Sequence, residues 1–188
     1  HSAGSGKTNS ITWLATQLRE LHDYAENRLF ECVFVITDRR VLDNQLQKNL
    51  NKFVTIAGVV QWIDDSNGSK AQQLLDILQF RSQAIVIVTI QSFGFLLNKI
   101  NDENFSNRNF AIIIDEAHSS TAGGAAANLK KAVSLHDEDV SEMSLDELIA
   151  EQMEKHKFPK NASFFAFTAT PKEKTLELFG TKNLDGLP

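Results

Sequence analysis

Cysteine is nearly absent from this chain: of 188 residues one, Cys32, carries a thiol. A lone thiol excludes an internal disulfide, and no Cys/His group has zinc-ligand spacing. Such usage suits a reducing, cytoplasmic compartment. Proline is scarce too. Pro159, Pro171 and Pro188 are the three, and none interrupts an element predicted below. No apolar run approaches the ~20 residues needed to span a bilayer; the longest, such as Ala84–Ile90, are strand-sized. The opening residues carry no basic-then-apolar signal pattern. Internal repeats, low-complexity tracts and linker-like stretches are also missing. These absences exclude a disulfide scaffold, a collagen-like rod, a coiled coil and a helical membrane protein.

What remains is an ordinary globular mix, 42% hydrophobic and 23% charged. At this length the chain amounts to about one domain, able to bury about 70% of the surface its unfolded form exposes. Net charge is −5, from 19 basic and 24 acidic residues, which speaks against a globally basic nucleic-acid-binding domain. The charge is unevenly spread, however. Asp137–Glu154 holds eight carboxylates and no Lys or Arg. The rest of the chain is mildly basic, so a nucleic-acid partner stays open.

Four short runs rich in Val, Ile and Phe read as strands buried on both faces: Cys32–Thr37, Ala84–Thr89, Phe110–Ile114 and Phe164–Thr168. A weaker strand is predicted within Val54–Val60. Helical spacing appears between them, at Ile11, Leu14, Leu18 and Leu21, at Leu42, Leu46 and Leu50, and at Leu74, Ile77 and Leu78. Alternating strands and helices predict an α/β fold, a mostly parallel sheet flanked by helices on both faces. Ser144 and Glu147 form a capping-box pattern that opens a polar helix. The acidic stretch thus reads as a helical insertion over about 137–157. Its simplest role is a solvated face; a contact with another subunit or domain is the alternative.

Chemistry gathers where the strands end. Ala3-Gly4-Ser5-Gly6-Lys7-Thr8 precedes the first helical pattern. A glycine-rich turn feeding a helix aims backbone N–H groups at a phosphate, and the helix N-terminus adds partial positive charge. Lys7 would reach the β- and γ-phosphates, and the Thr8 hydroxyl would sit on Mg²⁺. His1 stands where the general phosphate-loop pattern has glycine, and a Gly/Ser turn that merely caps a helix would look similar. Phe110–Ile114 then runs into Asp115-Glu116-Ala117-His118. Adjacent carboxylates at the end of a buried strand are costly unless they meet a cation or water. Asp115 fits a ligand to Mg²⁺, and Glu116 fits the group that orients and deprotonates an attacking water.

The other strands turn polar at the same edge: Val35-Ile36-Thr37 ends in Asp38-Arg39-Arg40, Val86-Ile87-Val88 in Thr89 with Gln91 and Ser92, and Phe165-Ala166-Phe167 in Thr168-Ala169-Thr170-Pro171. In a doubly wound sheet, ligands bind outside the carboxyl ends of the strands. Thr89, Gln91, Ser92 and the Asp38–Arg39 pair have the hydroxyl, amide and guanidinium groups to hydrogen-bond a nucleic-acid backbone. They serve equally as helix N-caps, for Thr89 and Ser92, or as an ordinary ion pair, for Arg39.

With these residues assembled, the chain resembles the first RecA-like motor domain of a superfamily 2 helicase, and more narrowly the R (HsdR-type) subunit of type I restriction-modification enzymes. His1–Thr8 is similar to the first motif of that family, in which an opening histidine is usual. Asp38–Gln45, Val88–Phe93, Asp115–Ser120 (a DEAH-type box) and Ser163–Lys172 with Thr175–Gly180 resemble its later motifs. The likeness runs nearly end to end. It implies a RecA-like P-loop NTPase domain that uses ATP and Mg²⁺ to drive translocation of double-stranded DNA, in a bacterial or archaeal cytoplasm. Modification and specificity subunits would be its partners, and DNA cleavage would follow remotely.

By the same resemblance, His1, Ala3, Gly4, Ser5, Gly6, Lys7 and Thr8 bind the nucleotide, and Thr8 and Asp115 hold the metal. Glu116 and Lys7 are catalytic. His118, Thr168 and Thr170 couple γ-phosphate loss to domain movement, and Asp38, Arg39, Thr89, Gln91 and Ser92 contact DNA. Residues 1–188 would be a fragment, without the strand before the phosphate loop, the second RecA-like domain or the nuclease domain. By itself it is expected to turn over ATP negligibly. The open alternatives are another superfamily 2 helicase or restriction ATPase, and a non-hydrolysing nucleotide sensor of the same fold, for which Glu116 would be dispensable.

Overall fold

The computed structural model of the chain describes residues 6–37, 58–63, 68–80, 83–89, 92–115 and 159–167. The elements in order are α1 (Lys7–Glu20), β1 (Cys32–Thr37), β2 (Val60–Trp62), α2 (Lys70–Phe80), β3 (Ile85–Thr89), α3 (Phe93–Ile100), a 3-10 turn (Glu103–Phe105), β4 (Phe110–Asp115) and β5 (Ala162–Phe167). The five strands form one sheet in the order β2-β3-β1-β4-β5, and every neighbouring pair is parallel. This is the α/β architecture the strand–helix alternation predicts, and it agrees with the RecA-like domain the resemblance implies.

The sheet is covered on both faces, which explains why its central strands read as unbroken apolar runs. Successive side chains on a strand point to opposite faces. Val33, Val35, Ile85, Ile87, Ala111 and Ile113 meet Ile11, Ala15 and Leu18 of α1. Their alternates, Phe34, Ile36, Val86, Val88, Ile112 and Ile114, meet Leu74, Ile77 and Leu78 of α2 and Phe93, Leu96, Leu97 and Ile100 of α3. The α1 contacts repeat at four and three residues, the one-sided stripe of a helix lying on a surface. The outer face of α1 stays in solvent, with Trp13 59% exposed.

Loop contacts knit the amino edge of the sheet. Arg19 Nε donates to the Gln83 carbonyl at 2.8 Å, the Glu31 amide to the Asn109 carbonyl at 2.8 Å and the Phe110 amide to the Asn161 carbonyl at 2.8 Å. The Asn161 side chain donates to the carbonyls of Ile100 at 3.2 Å and Phe105 at 2.9 Å. It therefore ties the end of α3 and the 3-10 turn to the start of β5.

Several boundaries differ from the sequence reading. β3 begins at Ile85 rather than Ala84, β4 extends through Asp115, and β5 begins at Ala162, two residues before the apolar run. The strand expected within Val54–Val60 meets the observed β2 only at Val60, and 54–57 lie outside the described residues. The helix α3 has no counterpart among the expected elements. The Leu42–Leu50 helix and the acidic segment 137–157 lie outside the described residues.

Candidate functional site

The site grows from the start of α1. Gly6 sits at φ +81°, a left-handed conformation that a side chain would strain. Its carbonyl accepts from the Asn9 and Ser10 amides at 2.9 and 3.2 Å, closing the first turn. Neither a side-chain cap nor an acidic residue occupies this helix start. The partial positive charge of the N-terminus is thus offset by neither a capping side chain nor an acidic first turn.

Lys7, the first residue of α1, reaches across to the last residue of β4. Its Nζ lies 3.7 Å from Asp115 Oδ1, and both side chains are only 11% exposed. An ion pair so deeply placed loses much of its hydration, and the Coulomb gain does not by itself recover that loss. The pair is better suited to a site in which each partner also meets an opposite charge brought by a ligand. A carboxylate and a hydroxyl are hard oxygen donors of the kind Mg²⁺ takes, usually one or two carboxylates completed by substrate phosphates and water. Asp115 and Thr8, in the first turn of α1, fit that role. Among the described residues no three His, Cys, Asp or Glu side chains gather as an all-protein metal cage.

Register extends the site along the carboxyl edge of the sheet. Thr37 pairs with Thr89 across β1 and β3, and Ile36 with Ile114 across β1 and β4, which brings Thr37 level with Asp115. Asp115 in turn pairs with Phe167. By strand alternation Thr37, Thr89 and Asp115 project on the α1 face, continuing the series Val35, Ile87 and Ile113. Three buried polar residues thus stand in one row on adjacent strands, and Asp115 among them meets the Lys7 side chain. Sequence reasoning gave Thr37 no role. The available signal was its position, the last residue of an apolar strand and the first polar one at the ligand edge.

Of the residues expected to contact nucleic acid, two are described. Ser92 occupies the N-cap position of α3, without a side-chain cap hydrogen bond, and is buried. Thr89 is 8% exposed, and its hydroxyl oxygen is buried with no hydrogen-bond partner. His1, Ala3, Gly4, Ser5, Asp38, Arg39, Gln91, Glu116, His118, Thr168 and Thr170 lie outside the described residues.

Opposite this row, at the amino edge, a cavity of about 260 Å³ is lined by Arg28, Leu29, Glu31, Gln83, Asn107, Arg108 and Asn109. Its charges are already engaged. Arg108 pairs with Glu31 at 3.4 Å and donates to the Leu78 carbonyl at 2.5 Å, while Arg28 pairs with Glu20 at 3.4 Å.

Comparison with known proteins converges on one group. The sequence profile of the SWI2/SNF2 ATPase family matches residues 1–185. The chain is similar to the C-terminal part of a type I restriction enzyme endonuclease subunit of Mycoplasma pneumoniae, 33% identical over 126 residues, covering 65% of this chain and 56% of that one. It is 30% identical over 175 residues to a type I restriction enzyme endonuclease subunit of Methanocaldococcus jannaschii, covering 91% of this chain and 13% of the relative. A Staphylococcus aureus subunit of the same kind is 27% identical over 174 residues, with 92% of this chain and 14% of the relative covered. The chain therefore spans about half the length of the first relative and about one-seventh of the others. Among solved structures, a nuclease-deletion mutant of the type ISP restriction-modification enzyme LlaGI, in complex with a DNA substrate mimic, superposes with a TM-score of 0.50. At 16% identity, over 92% of this chain and 15% of that one, it shares the fold.

Proposed function

The chain belongs to the SWI2/SNF2 ATPase family, and from that premise we propose that it is the ATP-binding half of the DNA translocase motor of a type I restriction enzyme R subunit. Residues 1–188 would make up the first RecA-like motor domain, with the acidic segment about 137–157 as an insertion. The motor would couple ATP hydrolysis to movement along double-stranded DNA, ahead of remote cleavage. It would work in a complex with modification and specificity subunits. The observation that supports this reading best is the 3.7 Å approach of Lys7 to Asp115. A helix start suited to phosphate thereby meets a carboxylate suited to a cation.

The roles follow from the chemistry of each group. The backbone of Gly4, Ser5 and Gly6 would donate hydrogen bonds to the phosphates, with His1 and Ala3 completing the loop. Lys7 would leave Asp115 for the β- and γ-phosphate oxygens and offset charge that grows as the terminal phosphoryl departs. Asp115 and Thr8 would hold Mg²⁺, which when bound neutralises phosphate charge. Glu116 would accept the proton of the attacking water. His118, Thr168 and Thr170 follow the carboxyl ends of β4 and β5, where γ-phosphate loss would be transmitted to domain movement. Arg39, Gln91 and Ser92 follow β1 and β3 and would donate hydrogen bonds to the DNA backbone, with Asp38 as the ion-pair partner of Arg39.

The test is Lys7→Ala in the complete R subunit, assembled with its partners. ATP-dependent translocation is expected to disappear while association with DNA remains. Translocation at the wild-type rate would refute the assignment.

A further inference from the structure

Thr89 presents a contradiction with the simplest use of its hydroxyl. A group that contacts a nucleic-acid phosphate needs an accessible oxygen, yet this oxygen is buried and makes no hydrogen bond. Placing a hydroxyl out of water without a partner is unfavourable. Valine has nearly the same shape, suits a parallel strand at least as well, and already fills Val86 and Val88 of β3. This hydroxyl is therefore available to take a hydrogen bond in another state of the protein.

Position identifies that state. Thr89 projects on the α1 face, as Ile85 and Ile87 do, the face on which Lys7 meets Asp115. Its register partner is Thr37, and Thr37 stands between it and the level of Asp115. Two strand spacings, about 10 Å, separate Thr89 from Asp115, so Thr89 does not reach the bound triphosphate itself. It reaches the row that holds Asp115. Thr37 is the register partner of Thr89 and level with Asp115, so a ligand that draws Lys7 and Asp115 into new contacts acts on the strand end beside Thr89.

We propose that Thr89 is a positioning residue of the nucleotide site: its hydroxyl takes up its hydrogen bond, toward Thr37, when Mg²⁺ and a nucleoside triphosphate occupy the Lys7–Asp115 site, and so fixes the strand-end row. The inference rests on the proposed nucleotide site, and it gives Thr89 a task inside the domain rather than at the DNA surface.

The experiment compares Thr89→Val and Thr89→Ser with the wild-type full-length subunit. It reads three quantities: the thermal midpoint without ligand, the affinity for Mg²⁺ with a non-hydrolysable ATP analogue, and the affinity for duplex DNA without nucleotide. Thr89→Val is expected to keep or raise the ligand-free midpoint, since it removes an unsatisfied group, and to weaken analogue binding about five- to tenfold, the size of one hydrogen bond. Thr89→Ser restores binding, and DNA affinity without nucleotide is unchanged in both. A lower midpoint in Thr89→Val, unchanged analogue affinity, or a loss of nucleotide-free DNA affinity would each overturn the inference. Lys7→Ala serves as the control for the underlying reading. If Lys7→Ala loses analogue binding and Thr89→Val does not, the role of Thr89 alone is wrong. If wild type binds no analogue, or Lys7→Ala binds it normally, the nucleotide site is wrong and the inference falls with it.

Discussion

Lys7 and Asp115 stabilise each other in a place that suits neither alone. With both side chains 11% exposed, removing one partner takes a counter-charge from a poorly hydrated group, a loss of about 3–5 kcal/mol for a fully buried pair and less at this edge position. Replacing both restores neutrality. Lys7→Ala and Asp115→Asn are therefore expected to destabilise singly, and the double variant to be more stable than the sum of the two losses implies. Urea denaturation of the four proteins measures the coupling, and strict additivity would mean that the pair does not interact in solution. These two residues were legible in the sequence because each belongs to a short chemical pattern, a glycine turn with lysine and an apolar run ending in paired acids. The burial of Thr89 was not legible. A strand covered on both faces shows no alternation, so nothing in Ile85–Thr89 says which face its last side chain takes. Thr37 escaped notice for the same reason, as its place beside Asp115 depends on register between strands far apart in sequence.

At the scale of elements, the central strands were plain, since β-branched and aromatic runs of five or six residues have few other uses in a globular chain. The edges were not. The start of β5 lies in Ala162-Ser163, ahead of the apolar run, and is recruited by pairing with Phe110 and Ala111 of β4 rather than by its own composition. The helix α3 hid because Phe93, Gly94, Leu96, Leu97 and Ile100 are all buried; a short helix so covered offers only Asn98 and Lys99 as a polar side. What anchors its end is Asn161, whose side-chain amide joins the carbonyls of Ile100 and Phe105. Asn161→Ala should cost about 1–3 kcal/mol, because it leaves those carbonyls without this donor. Hydrogen exchange should accelerate over residues 97–105 and stay unchanged in α1. Uniform acceleration across the chain would instead mean that Asn161 supports global stability and has no local anchoring role. Phe34 tests the opposite case, a wholly buried ring beside Phe110 with centroids 6.0 Å apart. Phe34→Ala is expected to cost about 3–5 kcal/mol in urea unfolding, shared by the whole domain.

For the whole molecule, the decisive feature is a sheet with two covered faces, which leaves the strand ends as the places where polar chemistry can gather. The carboxyl end received the candidate site; the amino end was closed by backbone and arginine contacts. This division was readable from the polar residues that end each run, but the closing contacts of Arg19, Gln83 and Asn109 were not, since they join loops that have no pattern of their own. The same enclosure sets how stability responds to pH. Cys32 opens β1 at the amino edge, 2% exposed, and burial raises its thiol from 9.0 to about 11. A folded-state value above the unfolded one means that folding favours the protonated thiol. Its contribution is complete below pH 9 and is lost as pH rises toward 11, about 3 kcal/mol for a shift of two units at 1.36 kcal/mol each. The wild-type curve sums every pH-dependent contribution in that range, so it alone does not isolate the thiol. Cys32→Ala removes it while keeping the site small and apolar. The stability difference between wild type and Cys32→Ala, measured by urea unfolding at pH 7.5 and 10.5, should shift by one to two kcal/mol against the wild type at the higher pH, an order-of-magnitude expectation from the same linkage. A thiol reagent at pH 8 should label native Cys32 far more slowly than the unfolded chain, because the reactive thiolate is both scarce and covered. Rapid labelling of the native protein, or a pH-independent difference, would show that β1 opens at the amino edge far more readily than its enclosure implies.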